Sequence, residues 1–193
     1  MKKLLLFAAG MLLCFSLSAQ DDTTLKFKGI PVQGKADDFA VQLMKKSGFK
    51  YITTSVDAIR MTGTFMAYSN VPVWVLFDID TDDILGVLAF FEAGDNWPAI
   101  ERKFDSVTST YKKKYGIPSR SRREFRTIVY GRDELREKAI KDQLCSYIDC
   151  WEVEDGAVFN YINFMENKFY ICCAYVNKDN IDTFYQDKIL GDI

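Results

Sequence analysis

The sequence contains no histidine, so it lacks the side chain that enzymes use most often for proton transfer and for binding transition metals. Ser-His-Asp and Cys-His catalysis, histidine zinc sites and a histidine general base are therefore excluded. The motifs GxGxxG, GxxxxGK[ST] and GxSxG, which mark common nucleotide-binding and hydrolase folds, are also absent. We expect no cofactor, and any catalysis would depend on carboxylates, lysine, tyrosine or serine.

The chain also has no strong excess of charge. It contains 25 basic and 27 acidic residues, for a net charge of −2, which gives no indication of nucleic-acid binding. Beyond the N-terminal region, no apolar run approaches the roughly 20 residues of a membrane-spanning helix. A hydrophobic content of 48% with 15% aromatic residues indicates a folded domain with a substantial core.

The N-terminal residues have the pattern of a secretory signal peptide. Lys2 and Lys3 supply the positive charge, residues 4–15 are apolar, and residues 16–19 are mostly small. We predict cleavage after Ala19, which leaves residues 20–193 as a single domain in the periplasm or outside the cell. No transmembrane segment is expected in that remainder.

Hydrophobic periodicity predicts helices separated by groups of strands. Apolar residues at helical spacing indicate one helix from about Ala36 and a second from about Trp97, with Asp95 or Asn96 as its cap. A third helix is expected from about Asp133 and a last one near residues 181–189. Alternating segments between them include a predicted strand over 61–68 and another over 125–130. The order predicts an α+β fold.

Hairpin-linked strands predict one or more antiparallel sheets with helices packed on one face. The order of elements also suggests two related α-βββ-α halves, at 25–118 and 119–193. The charged stretch from 112 to 126 is the expected boundary between them.

Aromatic residues are dense in the second half. Strands from Phe159 and from Phe169 are apolar on both faces, so a helix or another protein must cover the second face. The aromatic set is explained either by core packing or by an exposed face that binds a partner protein or a glycan. On the second interpretation, Trp151, Tyr161 and Tyr170 are the candidate ligand-binding residues.

A basic stretch between the halves contains Arg122 and Arg123. It would dock anionic groups such as lipid phosphates or acidic glycans, or it would be a solvated connector.

Asp78, Asp80 and Asp82 begin like a calcium-binding loop, because oxygen ligands at this spacing converge on Ca²⁺. However, Asp83 stands where such a loop needs glycine, and Ala89 stands where it needs a bidentate glutamate. The alternative is a solvated hairpin end.

Four cysteines follow the predicted cleavage site, and export would permit disulfides. Cys172 and Cys173 are neighbours in a predicted strand and should face opposite ways. The sequence therefore favours one bridge from Cys145 or Cys150 to one of that pair. Four buried free thiols are the alternative.

Three segments resemble secreted proteins common in gut Bacteroidetes. They are LKFKGIPVQGKADDFAVQLMKKSGF at 25–49, after a leader ending SAQ, then YKKKYGIP at 111–118 and NKDNID at 177–182. This resemblance implies a small exported α+β domain at the periplasm or cell surface, and it implies no particular chemistry. The layout is also similar to small secreted inhibitor and assembly-factor folds, an analogy of fold alone.

The leading functional hypothesis is a non-enzymatic binding module for an envelope protein or a glycan. The runner-up is a histidine-free hydrolase that cleaves glycans through two carboxylates. Its candidates lie near Trp97 and Trp151 in the sequence: Glu92, Asp95, Glu152, Glu154 and Asp155. A purely structural domain is a third alternative.

Overall fold

The computed structural model describes residues 24–127, 132–182, 184 and 185. Within them lie the helices α1 (Ala36–Ser47), α2 (Trp97–Tyr115) and α3 (Asp133–Lys141). The strands are β1 (Lys26–Phe27), β2 (Ile30–Pro31), β3 (Lys50–Thr54), β4 (Ala58–Phe65), β5 (Tyr68–Phe77), β6 (Ile84–Glu92), β7 (Arg120–Phe125), β8 (Cys145–Val153), β9 (Gly156–Met165) and β10 (Lys168–Asn177). Residues 186–189 of the expected last helix lie outside the described residues.

Strands β3 to β10 form a single antiparallel sheet in the order β3-β4-β5-β6-β10-β9-β8-β7. Each predicted half thus contributes a four-stranded meander, and the two meanders meet through their last strands. At this seam Cys173 lies opposite Ala89, and Val176 lies opposite Gly86. The α+β prediction is confirmed.

All three helices pack on the same face of the sheet, which we call the helix face. Alternate strand residues point into it, among them Val73, Val87 and Ile171, and helix residues such as Phe39 and Phe104 close over them. The β1–β2 hairpin adds Phe27, whose ring centroid lies 4.8 Å from that of Phe65 and 5.2 Å from that of Tyr175. The main core lies between this face and the helices.

Local cap and turn chemistry matches the sequence at two places. Asn96 caps α2, because its side chain accepts a hydrogen bond from the backbone of Ala99 at 3.1 Å, and Pro98 lies in the first turn. The acidic segment 78–83 joins β5 to β6, as predicted. None of the helices among the described residues is both long enough and apolar enough to span a membrane.

Two strand predictions are wrong in their bounds. The segment 61–68 is not one strand, because Met66 and Ala67 have φ angles of 46° and 65° and form the turn between β4 and β5. Two consecutive left-handed residues are the geometry of a tight hairpin turn.

The basic stretch is also not a connector, because 120–125 form the edge strand β7. Its side chains alternate, so Arg123 and Phe125 lie on the helix face and Arg122 on the other. The strand predicted over 125–130 therefore lies mainly upstream, and residues 128–131 are outside the described residues.

Candidate binding site

The face of the sheet opposite the helices, which we call the second face, is also apolar. One row crosses five strands through the paired residues Cys150, Phe159, Ala174, Leu88 and Trp74. All of these except Trp74 are buried, and Trp74 is half-buried. The central strands therefore carry apolar side chains on both faces, as the sequence predicted for β9 and β10.

Two predicted ligand-binding residues, Tyr161 and Tyr170, lie on this second face. Tyr161 is paired with Cys172, which is paired in turn with Phe90. The ring centroids of Tyr170 and Phe90 lie 6.3 Å apart in an edge-to-face arrangement. Both tyrosines are buried, and loss of solvent raises the pKa of each phenol above its ordinary value. Their contribution is apolar surface rather than acid–base chemistry.

A short segment after β10 covers one end of the second face. The ring centroid of Phe184 lies 4.8 Å from that of Phe159 and 5.8 Å from that of Tyr161. Arg120 on β7 holds this segment by donating from Nη1 to Asp182 Oδ1 at 2.9 Å. Its guanidinium also lies 5.2 Å from the ring centroid of Tyr185. The segment thus forms one wall over the sheet.

Beside this wall lies a partly open cavity of about 160 Å³. Gly86 lies in its lining, between its paired neighbours Val176 and Leu76. A Cβ at Gly86 would meet the carbonyl oxygen of Tyr175 at 2.7 Å, so this position requires glycine. The lining is apolar except for one amide: Leu76, Leu85, Gly86, Leu88, Val176, Asn180 and Phe184.

None of the five predicted ligand-binding residues lines this cavity. Trp151 is 2% exposed, lies on the helix face, and donates from Nε1 to the carbonyl of Gly116 at 2.9 Å. The sheet therefore separates Trp151 from Tyr161. Arg122 is paired with Glu124, and Arg123 lies on the helix face. The five candidates do not form one site.

Arg123 instead belongs to a buried polar network that the sequence analysis missed. Its Nη2 lies 2.9 Å from Asp149 Oδ2, and Asp149 is only 1% exposed. Thr108 on α2 donates to the same oxygen at 2.8 Å, and Ser121 donates to Oδ1. Asn160 donates to Thr108 Oγ1 at 2.9 Å. The signal available in the sequence was a single aspartate within the otherwise apolar run YIDCW.

This network joins α2 to strands β7, β8 and β9. The Nη1 atom of Arg123 also lies 2.9 Å from Asp105 Oδ1, so the guanidinium bridges a buried and an exposed carboxylate. Asp149 accepts hydrogen bonds from three donors and is buried. Its role in the structure is therefore to fix α2 on the sheet.

The aspartate loop is a hydrogen-bonded turn. Asp78 Oδ1 accepts from the backbone of Asp80 at 3.0 Å, and from the backbone and hydroxyl of Thr81 at 2.9 and 3.2 Å. The backbone hydrogen bond from Thr81 is the largest cause that lowers the pKa of Asp78 below its ordinary value. Across the described ranges, no group of three or more carboxylates or thiols is placed to hold a metal ion. The structure thus gives the calcium prediction for Asp78, Asp80 and Asp82 no geometric support.

Cys145, Cys150, Cys172 and Cys173 are free thiols, so the predicted disulfide is not formed. Cys150 and Cys172 share the second face, but β8 and β10 are separated by β9. Two strand spacings amount to about 10 Å, beyond the ~7 Å between Cα atoms that a disulfide can span. Cys173 lies on the helix face, and Cys145 packs against the same core near the start of β8.

Burial makes these thiols poor nucleophiles. It raises the pKa of Cys145, Cys150 and Cys173 to about 12. The thiolate, which is the reactive form, is therefore scarce near neutral pH.

We expect Cys150 and Cys173 to resist alkylation by iodoacetamide at pH 8 in the native protein and to react fully in guanidinium chloride. Peptide mass spectrometry after timed labelling would measure both sites, with half-exposed Cys145 as an internal comparison. Rapid labelling of Cys173 without denaturant would contradict the buried placement.

The carboxylates proposed for glycan hydrolysis are divided between two ends of the sheet. Glu92 is paired with Tyr170 of β10. Glu152 lies in the cross-strand row of Val176, which is six positions further along β10. Six strand residues correspond to about 20 Å, while glycosidase carboxyl pairs lie about 5–10 Å apart. Each is also in an ion pair, Glu92 with Lys168 at 2.6 Å and Glu152 with Arg120 at 2.8 Å. Glu92 and Glu152 are therefore not placed as a glycosidase carboxyl pair.

Of the features described, the apolar cavity on the second face is the best candidate for binding. Its described lining is apolar apart from Asn180, which suits an apolar group of a ligand. The chain matches no protein-family model, no curated protein and no solved structure at a significant level, so its function has to be argued from this geometry.

Proposed function

We propose that the protein is a non-enzymatic binding module that acts in the periplasm or outside the cell. In this proposal the second face of the sheet holds an apolar group of the ligand. The single observation that carries it is the cavity over Gly86, with apolar walls and a volume of about 160 Å³. The proposed location depends on the signal-peptide pattern of residues 1–19.

The size and lining of the cavity indicate the kind of group it accepts. An apolar protein cavity of about 150 Å³ binds benzene, so this one suits an aromatic ring or a short branched aliphatic group. A sugar would have to place hydroxyl groups against Leu76, Leu85 and Leu88 without hydrogen-bond partners, which is costly. We therefore favour an apolar side chain of an envelope protein over a glycan.

The cavity can be tested with toluene as a probe, followed by methyl NMR shifts of Leu76, Leu85 and Leu88. We expect saturable shifts in the native protein. Leu85→Trp fills the cavity from a half-buried position, and it should weaken the toluene affinity by about tenfold or more, equivalent to ~1.4 kcal/mol of lost contact.

Ile79→Trp is the matched control, since Ile79 is exposed and does not line the cavity. It should leave toluene binding unchanged. If toluene causes no saturable shifts, or if Leu85→Trp binds it as well as the native protein does, the proposed site is wrong.

A further inference from the structure

The two edge strands of the sheet differ sharply in character. The β7 edge is protected by charge, with Arg120, Arg122 and Glu124 all in ion pairs. At the other edge, every residue of β3 is exposed and Lys50 is its only charged side chain. Tyr51 and Ile52 in this strand are 53% and 57% exposed. The β3 edge therefore carries less charge than the β7 edge, and a register shift between Tyr51 and Thr53 interrupts its pairing with β4.

Exposed apolar side chains concentrate beside the β3 edge. Val56, just after β3, is 80% exposed. Of the eight large exposed apolar residues in the described part of the chain, five fall between positions 41 and 56: Val41, Met44, Tyr51, Ile52 and Val56. Helix α1 carries the first two and contacts β3. We call these five residues the β3 patch. Apolar clusters of this kind mark interaction surfaces.

The exposed surface of α1 has a charge pattern that complements itself. Asp37 and Asp38 lie in its first turn, and Lys45 and Lys46 lie in its last turn. Val41 lies between them and is exposed. Two copies of such a helix, side by side and antiparallel, would bring the acidic turn of each next to the basic turn of the other. Their helix dipoles would also be favourably opposed.

The connection between α1 and β3 couples the helix arrangement to the strand arrangement. Gly48, with a φ of 68°, ends α1 and turns the chain directly into β3. The basic end of α1 therefore lies near the start of β3. Antiparallel pairing of two β3 strands would place the two α1 helices on the same side of the joined sheet and antiparallel to each other.

We propose that a second copy of this chain binds here, through two-fold antiparallel pairing of β3 with β3 and of α1 with α1. Lys50 is the first residue of β3, so antiparallel pairing places the Lys50 residues of the two copies at opposite ends of the strand pair, and like charges do not meet. A two-fold contact uses the same patch on both copies and closes the assembly. The charged β7 edge prevents the joined sheet from growing further.

Analytical ultracentrifugation of the purified protein over a concentration series tests the pairing. We expect a reversible dimer. Ile52→Lys replaces an exposed side chain and so preserves the fold, but it places two charges at the centre of the contact. It should raise the dimer dissociation constant by at least about tenfold. Ile79→Lys makes the same change at a position 62% exposed and outside the β3 patch, and it should stay dimeric.

Charge reversal tests the predicted orientation. The variant with Asp37→Lys and Asp38→Lys should be monomeric, as should the variant with Lys45→Glu and Lys46→Glu. An equimolar mixture of the two should form a heterodimer, because each supplies the charges that the other lacks. Far-ultraviolet circular dichroism would verify that both variants are folded.

A native protein that remains monomeric throughout the series would overturn the proposal. So would an Ile52→Lys variant that dimerises as well as the native protein, or folded charge variants that fail to associate when mixed. Toluene binding at the second face is read independently, so failure of the dimer would not affect the cavity proposal.

Discussion

Replacement of Asp149 by alanine is expected to lower the free energy of unfolding by about 3–5 kcal/mol. The carboxylate is 1% exposed and accepts hydrogen bonds from Thr108, Ser121 and Arg123. Its removal leaves these three donors without an acceptor and part of the Arg123 charge uncompensated beneath α2. Urea unfolding followed by circular dichroism would measure the change.

Asp105→Ala is the matched control for this prediction. Asp105 bonds the same guanidinium at 2.9 Å, but its side chain is 53% exposed. Exposed ion pairs contribute about 0–1 kcal/mol, so this variant should remain close to the native stability. Equal losses for Asp149→Ala and Asp105→Ala would show that burial of the Asp149 carboxylate does not control the stability of the network.

Replacement of Phe27 by alanine should cost a similar amount, about 3–5 kcal/mol, because it leaves a cavity in the core. Phe27 is fully buried, and its ring centroid lies within 5.9 Å of those of Phe49, Phe65 and Tyr175. It comes from the two-stranded hairpin outside the main sheet, so its loss also weakens the attachment of that hairpin. Chemical unfolding gives the energy, and near-ultraviolet circular dichroism reports the packing of the ring cluster.

Ile79→Ala provides the comparison, since Ile79 is 62% exposed in the loop between β5 and β6. Exposed substitutions of this kind change stability by about 0.5 kcal/mol or less. A loss below about 1 kcal/mol for Phe27→Ala would mean that the ring cluster relaxes around the missing side chain.

The helices could be predicted from the sequence because their signals are local. Phe39, Ala40 and Leu43 recur at helical spacing, and all three are buried in the structure. Met44 follows the same helical spacing but is exposed, since its direction on the helix lies at the border of the buried face. Periodicity therefore identifies the helix well and locates the edge of its buried face less accurately.

The sheet order could not be predicted to the same depth, because it depends on contacts between distant residues. The Val176–Gly86 pair joins positions separated by about half of the domain, and neither residue carries a local signal for the other. The same reason explains the disulfide error. Side-chain alternation along the strands indicates which face each cysteine lies on, but it does not show how far apart the strands are. The intervening strand β9, which only the fold reveals, keeps Cys150 and Cys172 apart.

The apolar second face could be predicted from the sequence, but the residues that line the cavity could not. The two-sided apolar character of β9 and β10 correctly indicated a second face that needs a cover. Which aromatic residues lie there is decided by strand register, and this separates Trp151 on one face from Tyr161 on the other. The cavity itself is lined by residues of β5, β6 and β10 together with Asn180 and Phe184, and only the fold brings these together.

The meeting of the two meanders at β6 and β10 has a consequence for how the chain folds. Within each meander, successive strands are mostly neighbours in sequence and close through short turns, so their pairing costs little chain entropy. The pairing of β6 with β10 closes a far longer loop. The residues of these two strands contribute apolar side chains to both faces of the sheet. We therefore expect hairpins to form early within each half, and the seam between β6 and β10 to be the slow, cooperative step that commits the molecule to its native state.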